Sequence, residues 1–137
     1  NITEIGLNCF YKCKLLTQIS IPSSVTKIGN SAFSHCKNLI KISIPSSVTI
    51  IDSNAFEQCS CLTEIKIPSS VTFIGSSAFS DCTSLKQFSI PPFVTTIEQC
   101  TFCGCNAMEK IFIPSSVNYI DDCAFKRYKS SSKYNNN

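Results

Sequence analysis

The chain has 137 residues, 43% of them hydrophobic, and a formal net charge of +3 from 12 basic and 9 acidic side chains. So mild a charge argues against the concentrated basic face by which nucleic-acid binders are recognised. No apolar run reaches the roughly 18 residues that mark a membrane span, and no charged start followed by an apolar segment marks a signal peptide.

The first residues, Asn1-Ile2-Thr3-Glu4-Ile5-Gly6, align with Ser24-Val25-Thr26-Lys27-Ile28-Gly29. The sequence therefore opens in the back half of a repeat and reads as a fragment whose upstream part is missing. Full repeats follow from Leu16, Leu39, Leu62 and Leu85, and another starts at Met108 and fades after Phe125. The paired positions of an IxIP core return at a fixed period as Ile19/Ile21, Ile42/Ile44, Ile65/Ile67, Phe88/Ile90 and Ile111/Ile113. A period between 20 and 29 residues with LxxIxI spacing is the signature of a leucine-rich-repeat solenoid.

Within the second repeat, Ile42 and Ile44 alternate with Lys41 and Ser43, a period of two that predicts a strand. The following Pro lacks a donor and ends the ladder. The Val-Thr-x-Ile segment is also β-prone and predicts a second, shorter sheet. Ser/Asn-Ala-Phe-x-x-Cys has the spacing of a single helical or 3₁₀ turn. The expected fold is an α/β solenoid, a right-handed superhelix of about five and a half repeats over residues 1–128. A parallel sheet lines its concave face, with short 3₁₀ or helical turns and the second short sheet on the convex side. Residues 129–137, KSSSKYNNN, read as a polar, disordered tail.

Stacking turns sequence columns into ladders. Phe10, Phe33, Phe56, Phe79, Phe102 and Phe125 form one, with rungs about 4.8 Å apart. Ser24, Ser47, Ser70 and Ser116 form another, with hydroxyls placed to hold backbone groups beside them. The fourth repeat interrupts it with Pro91-Pro92-Phe93, which predicts a locally irregular rung.

Of the ten cysteines, Cys13, Cys36, Cys59, Cys82 and Cys105 share a column and predict a buried ladder of free thiols. Cys100 and Cys123 hold one repeat position on adjacent rungs, within disulfide reach. Cys103 follows on the same side of the turn. The set Cys100, Cys103 and Cys123 is compatible with free thiols, a disulfide or a thiolate cluster, free thiols being favoured. It lacks a fourth ligand, so no metal site is assigned. Cys9 fits an Ala-like core position and Cys61 a turn.

Catalysis finds no support. The single histidine, His35, sits in a column of exposed-turn character, and its nearest in-column carboxylate, Asp81, lies two rungs away. No nucleophile, base and orienter assemble, and no cofactor is implied.

Binding on a repeat scaffold uses the faces left between the apolar columns. The outward positions of the first sheet include Lys41, Glu64, Lys66, Gln87, Lys110 and Phe112, the last an exposed aromatic among polar neighbours. Lys41 and Glu64 are placed to pair across strands. A second candidate is the x column of Val-Thr-x-Ile, where Ile50, Phe73 and Tyr119 stand beside charged Glu4 and Lys27. Apolar rungs at Ile5–Phe10 and Ile120–Phe125 carry no polar cap, which predicts self-association through the ends.

The wording IPSSVTxIGxxAFxxCxxL, recurring through residues 1–125, resembles the BspA-like class of leucine-rich repeats of bacteria and anaerobic protists. The resemblance implies a cell-surface or secreted adhesion protein that binds a protein partner such as host extracellular matrix, with no catalytic residue. The Ile, Asn, Lys and Ser bias fits an AT-rich genome and leans towards a protist. The alternative is an intracellular scaffold or regulatory subunit in the cytoplasm, favoured by the thiol ladder because cysteines stay reduced there.

Overall fold

The computed structural model describes residues 1–126 and the backbone of Tyr134–Asn136. The chain is a parallel β-solenoid in which each turn advances by one repeat. One sheet is built from the IxIP cores. Its strands are β2 (Gln18–Ser20), β4 (Lys41–Ser43), β7 (Gln87–Ser89), β9 (Lys110–Ile113) and β11 (Tyr134–Asn136). The Val-Thr-x-Ile segments form the expected second sheet. Its strands are β1 (Glu4–Ile5), β3 (Lys27–Ile28), β5 (Ile50–Ile51), β6 (Phe73–Ile74), β8 (Thr96–Ile97) and β10 (Tyr119–Ile120). Every pairing is parallel and in repeat register, as in Gln18↔Lys41 and Ile28↔Ile51.

The third side departs from expectation. No helix is found among the described residues, and the Ala-Phe-x-x-Cys segments are chains of tight turns. Two columns explain this. Asn8, Ser31, Asn54, Ser77 and Cys100 have φ between 56° and 58° or at 61°, and Lys12, His35, Gln58 and Asp81 lie between 57° and 61° or at 56°. A left-handed residue every fourth position stops any helix of L-residues. It also swings an N–H toward the next turn: Ser31 donates to the Ser53 carbonyl, His35 to Glu57 and Gln58 to Ser80. Phe33 and Phe56 donate likewise to Ala55 and Ala78. The turns thus make a third backbone ladder, which offsets about 1–2 kcal/mol of strain at each left-handed residue. The last position of the second column among the described residues is Gly104, which adopts the same region at φ 73° without a Cβ.

The core follows the columns. Phe33, Phe56, Phe79 and Phe102 are fully buried, and successive rings from Phe10 to Phe125 stack at 5.1, 5.4, 5.3, 6.0 and 5.4 Å. The wide step is between Phe79 and Phe102. There Phe88, standing where other repeats carry Ile, drives its edge between the two rings at 4.9 Å from each. Both sheets open around this wedge. Glu64–Lys66 forms no strand and pairs with neither β4 nor β7. The second sheet parts between β6 and β8, in the repeat where Pro91-Pro92-Phe93 replaces the usual turn. The irregular rung expected there is present.

The stretch read as a disordered tail needs correction at Tyr134–Asn136. These residues pair with β9 as Tyr134↔Ile111, Asn135↔Phe112 and Asn136↔Ile113, one more step of the same register. The open edge of β9 offers a row of unpaired donors and acceptors, and a following strand satisfies them. The rest of 127–137 lies outside the described residues.

Candidate functional site

The outward positions of the first sheet are set by the pleat: Ile42 and Phe88 point into the core, so Lys41, Ser43, Gln87 and Ser89 face out and are exposed. Where the Glu64–Lys66 rung leaves the ladder, the surface opens into a groove of about 500 Å³. Lys41, Glu64, Lys66 and Gln87 line it, with Ile42, Ile65 and Phe88 at its floor. Four of the residues singled out from the sequence therefore share one site. Lys41 and Glu64 do not form the expected ion pair among the described residues, because the strand pairing that would hold them opposite one another is missing. The cationic side chain that does bridge rungs is Lys27, at 3.8 Å from Glu4 and 3.5 Å from Asp52.

Lys110 and Phe112 lie beyond that groove. Phe112 is half-buried and not the exposed aromatic expected, since Lys110 Nζ sits 5.1 Å from its ring centre. Ile50 and Phe73 are on the second sheet, directly opposite in register. Phe73 is exposed, while Ile50 is half-buried. Tyr119 stands apart, across the break, beside Thr96 and exposed near a shallow groove with Ile120 and Val117.

From Cys36 to Cys105 the cysteine column is a ladder of buried thiols with a specific bonding role, and Cys13, at its start, is half-buried. Cys36, Cys59, Cys82 and Cys105 each donate S–H to the carbonyl of the phenylalanine one turn back, at 3.0 to 3.2 Å. Burial pushes the Cys59 and Cys82 thiols well up, and Cys105 up to about 12, with the charge of Asp81 adding at Cys105. Such thiols are poor nucleophiles. Cys100 and Cys123 are half-buried free thiols. Cys103 is buried and donates to the Cys123 carbonyl at 3.1 Å. Cys9, expected in the core, is exposed, as is Cys61.

One cluster was not anticipated. Ser34 Oγ donates to Glu57 Oε1 at 3.2 Å and lies 2.9 Å from His35 Nδ1. With its hydrogen on Glu57, the hydroxyl accepts from Nδ1–H. The serine is in the middle, not the histidine, and it is only 1% exposed, whereas a hydrolytic triad puts the histidine between an accessible serine and the acid. The cluster buttresses the turn. The signal lay in the sequence as a column relation: Glu57 holds the repeat position of Ser34 on the following turn, one place before the column of His35.

A family model described as the BspA-type leucine-rich-repeat region matches residues 3–132 in six copies. The chain belongs to the BspA-type leucine-rich-repeat family. Among solved structures, the leucine-rich-repeat protein of T. pallidum matches this BspA-type chain with a TM-score of 0.79 at 26% identity, over 98% of this chain and 67% of that one. A leucine-rich-repeat protein of Bacteroides ovatus matches at 30% identity and a TM-score of 0.69, over all of this chain but 44% of its own. A leucine-rich cell surface protein of Faecalibacterium prausnitzii matches at 29% and 0.64, over 88% of this chain and 41% of that one. The BspA-type chain thus spans less than half the length of the last two. No curated protein matches it.

Proposed function

We propose that the chain is a non-catalytic protein-binding module of a cell-surface adhesion or host-interaction protein, and that its partner docks on the first sheet at the opening around Glu64–Lys66. The observation that carries this reading is the groove shared by Lys41, Glu64, Lys66 and Gln87. It combines an apolar floor with charged and amide groups at the rim, the anatomy of a protein-recognition patch. The surface assignment is supported by the F. prausnitzii neighbour, whose description is that of a cell surface protein. Host extracellular-matrix protein is the proposed partner class. Ile50 with Phe73 forms a second, smaller apolar contact area, and exposed Leu7, Tyr119 and Ile120 offer surfaces for self-association.

The test has two arms. Antibody to residues 1–126 is applied to intact and permeabilised source cells, and the purified chain is titrated against a panel of immobilised matrix proteins. The proposal expects signal on intact cells and binding that falls at least tenfold in the Lys41→Glu, Lys66→Glu double variant. Signal only after permeabilisation would replace it with the intracellular scaffold, a reading the reduced thiol ladder favours.

A further inference from the structure

Cys100 and Cys123 occupy the corner position of the repeat, where earlier turns carry Asn8, Ser31, Asn54 and Ser77, and Cys100 shares their left-handed φ. At the preceding corners a backbone bond ties each residue to the next turn: Ser31 to Ser53, Asn54 to Ser76 and Ser77 to Gln99. The corresponding bond from Cys100 N–H to Asp122 is not made among the described residues. The N–H of Cys123 is taken by the Asp121 carboxylate at 2.9 Å. Around this gap the two turns remain in register. Thr96 pairs with Tyr119, Phe102 N–H donates to the Ala124 carbonyl, and Cys103 Sγ reaches the Cys123 carbonyl. In-register neighbours on adjacent turns stand about 4.8 Å apart, inside the range of Cα separations that a disulfide spans.

From this geometry we infer that Cys100 and Cys123 form a reversible cross-link site, oxidised by a low-molecular-weight disulfide and tying the last two complete turns where their corner hydrogen bond is missing. The thiolate of one cysteine attacks the small disulfide, forming a mixed disulfide and expelling one small thiolate. The second cysteine then attacks the protein sulfur of that mixed disulfide and expels the other. Two electrons pass from the protein to the reagent, and the two protons end on the departing thiols. The other cysteines do not compete for this chemistry. Cys36, Cys59, Cys82, Cys105 and Cys103 are buried, and their S–H groups are engaged by carbonyls, while half-buried Cys13 lies in the first, partial repeat, far along the solenoid from Cys100 and Cys123. Cys9 and Cys61 are exposed but lie in different columns, on widely separated turns.

The test is incubation of the folded chain with glutathione disulfide, followed by tryptic digestion without reductant. The expected product joins the fragment 87–110 to the fragment 111–126, two hydrogens lighter than their sum, and oxidation raises the Tm by about 5–10 °C. Cys100→Ser, which restores the serine found at Ser31 and Ser77, abolishes both effects, whereas Cys103→Ser leaves both intact. Single glutathione adducts on Cys100 and Cys123 without a joined fragment would overturn the inference. So would a joined fragment that survives Cys100→Ser or is lost in Cys103→Ser.

Discussion

The thiol of Cys59 donates to the carbonyl oxygen of Phe33 one turn back, 3.2 Å away. The same relation joins Cys82 to Phe56 and Cys105 to Phe79. A small apolar side chain with one weak donor fills the space and meets the carbonyl at once, which neither Ala nor Val could do. Cys82→Ala is expected to cost about 1–2 kcal/mol, from the lost bond and the small cavity. Urea denaturation of the variant checks it.

The same thiols make stability depend on alkaline pH. Burial raises their ionisation in the folded chain, Cys105 to about 12, while the unfolded chain ionises near 9.0. The folded state keeps protons that the unfolded state gives up, so stability is complete below pH 9 and falls between 9 and 12 by up to about 1.4 kcal/mol per pH unit for each such thiol. A urea midpoint unchanged between pH 8 and 10 would contradict this.

Phe56 stacks on Phe33 and Phe79 at 5.4 and 5.3 Å and has no exposed surface. Phe56→Ala is therefore expected to cost about 3–5 kcal/mol. Phe88→Ile, which restores the residue of the other repeats, should cost less than about 1.5 kcal/mol. Equilibrium unfolding of the two variants side by side measures the contrast.

The serine column offers an internal control. Ser70 Oγ donates to the Val48 carbonyl at 2.6 Å, whereas the buried Ser47 Oγ has no partner among the described residues. Ser70→Ala should lose about 1 kcal/mol, and Ser47→Ala should be neutral or stabilising because it removes an unsatisfied hydroxyl. Equal costs in thermal unfolding would refute the distinction.

At Gly75 two turns approach closely. A Cβ there would lie 2.5 Å from Ser53 N and 2.8 Å from Asp52 C, both backbone atoms that cannot step aside alone. Gly75→Ala should destabilise by about 1–3 kcal/mol, read from the denaturation midpoint.

Much of this was legible in the chain, because a solenoid writes its contacts as columns: the phenylalanine stack, the buried thiols, the second sheet and the irregular proline rung all follow from position within the repeat. What escaped did so for physical reasons. Nothing in Glu64-Ile65-Lys66 departs from the repeat, and its loss of pairing accompanies a larger side chain, Phe88, one turn on. The left-handed corners are occupied by ordinary polar residues, so local propensity gave no warning that a helical turn would fail. Tyr134–Asn136 lacks the Ile pair of a strand, and only its register betrays it. Within the candidate site, the outward row could be named, but the groove that gathers Lys41, Glu64, Lys66 and Gln87 depends on a break that no column records.

The second sheet parts between the third and fourth full repeats and the first sheet omits the third-repeat rung, while the turn ladder crosses the same region intact through Ser77, Phe79 and Asp81. Across this region the turns are held by that ladder, by the Phe79, Phe88 and Phe102 rings and by one bond from Lys86 N–H to the Thr63 carbonyl. With fewer sheet bonds than elsewhere, it is where the solenoid is expected to bend first under load, which would widen or narrow the face that Lys41 and Gln87 share.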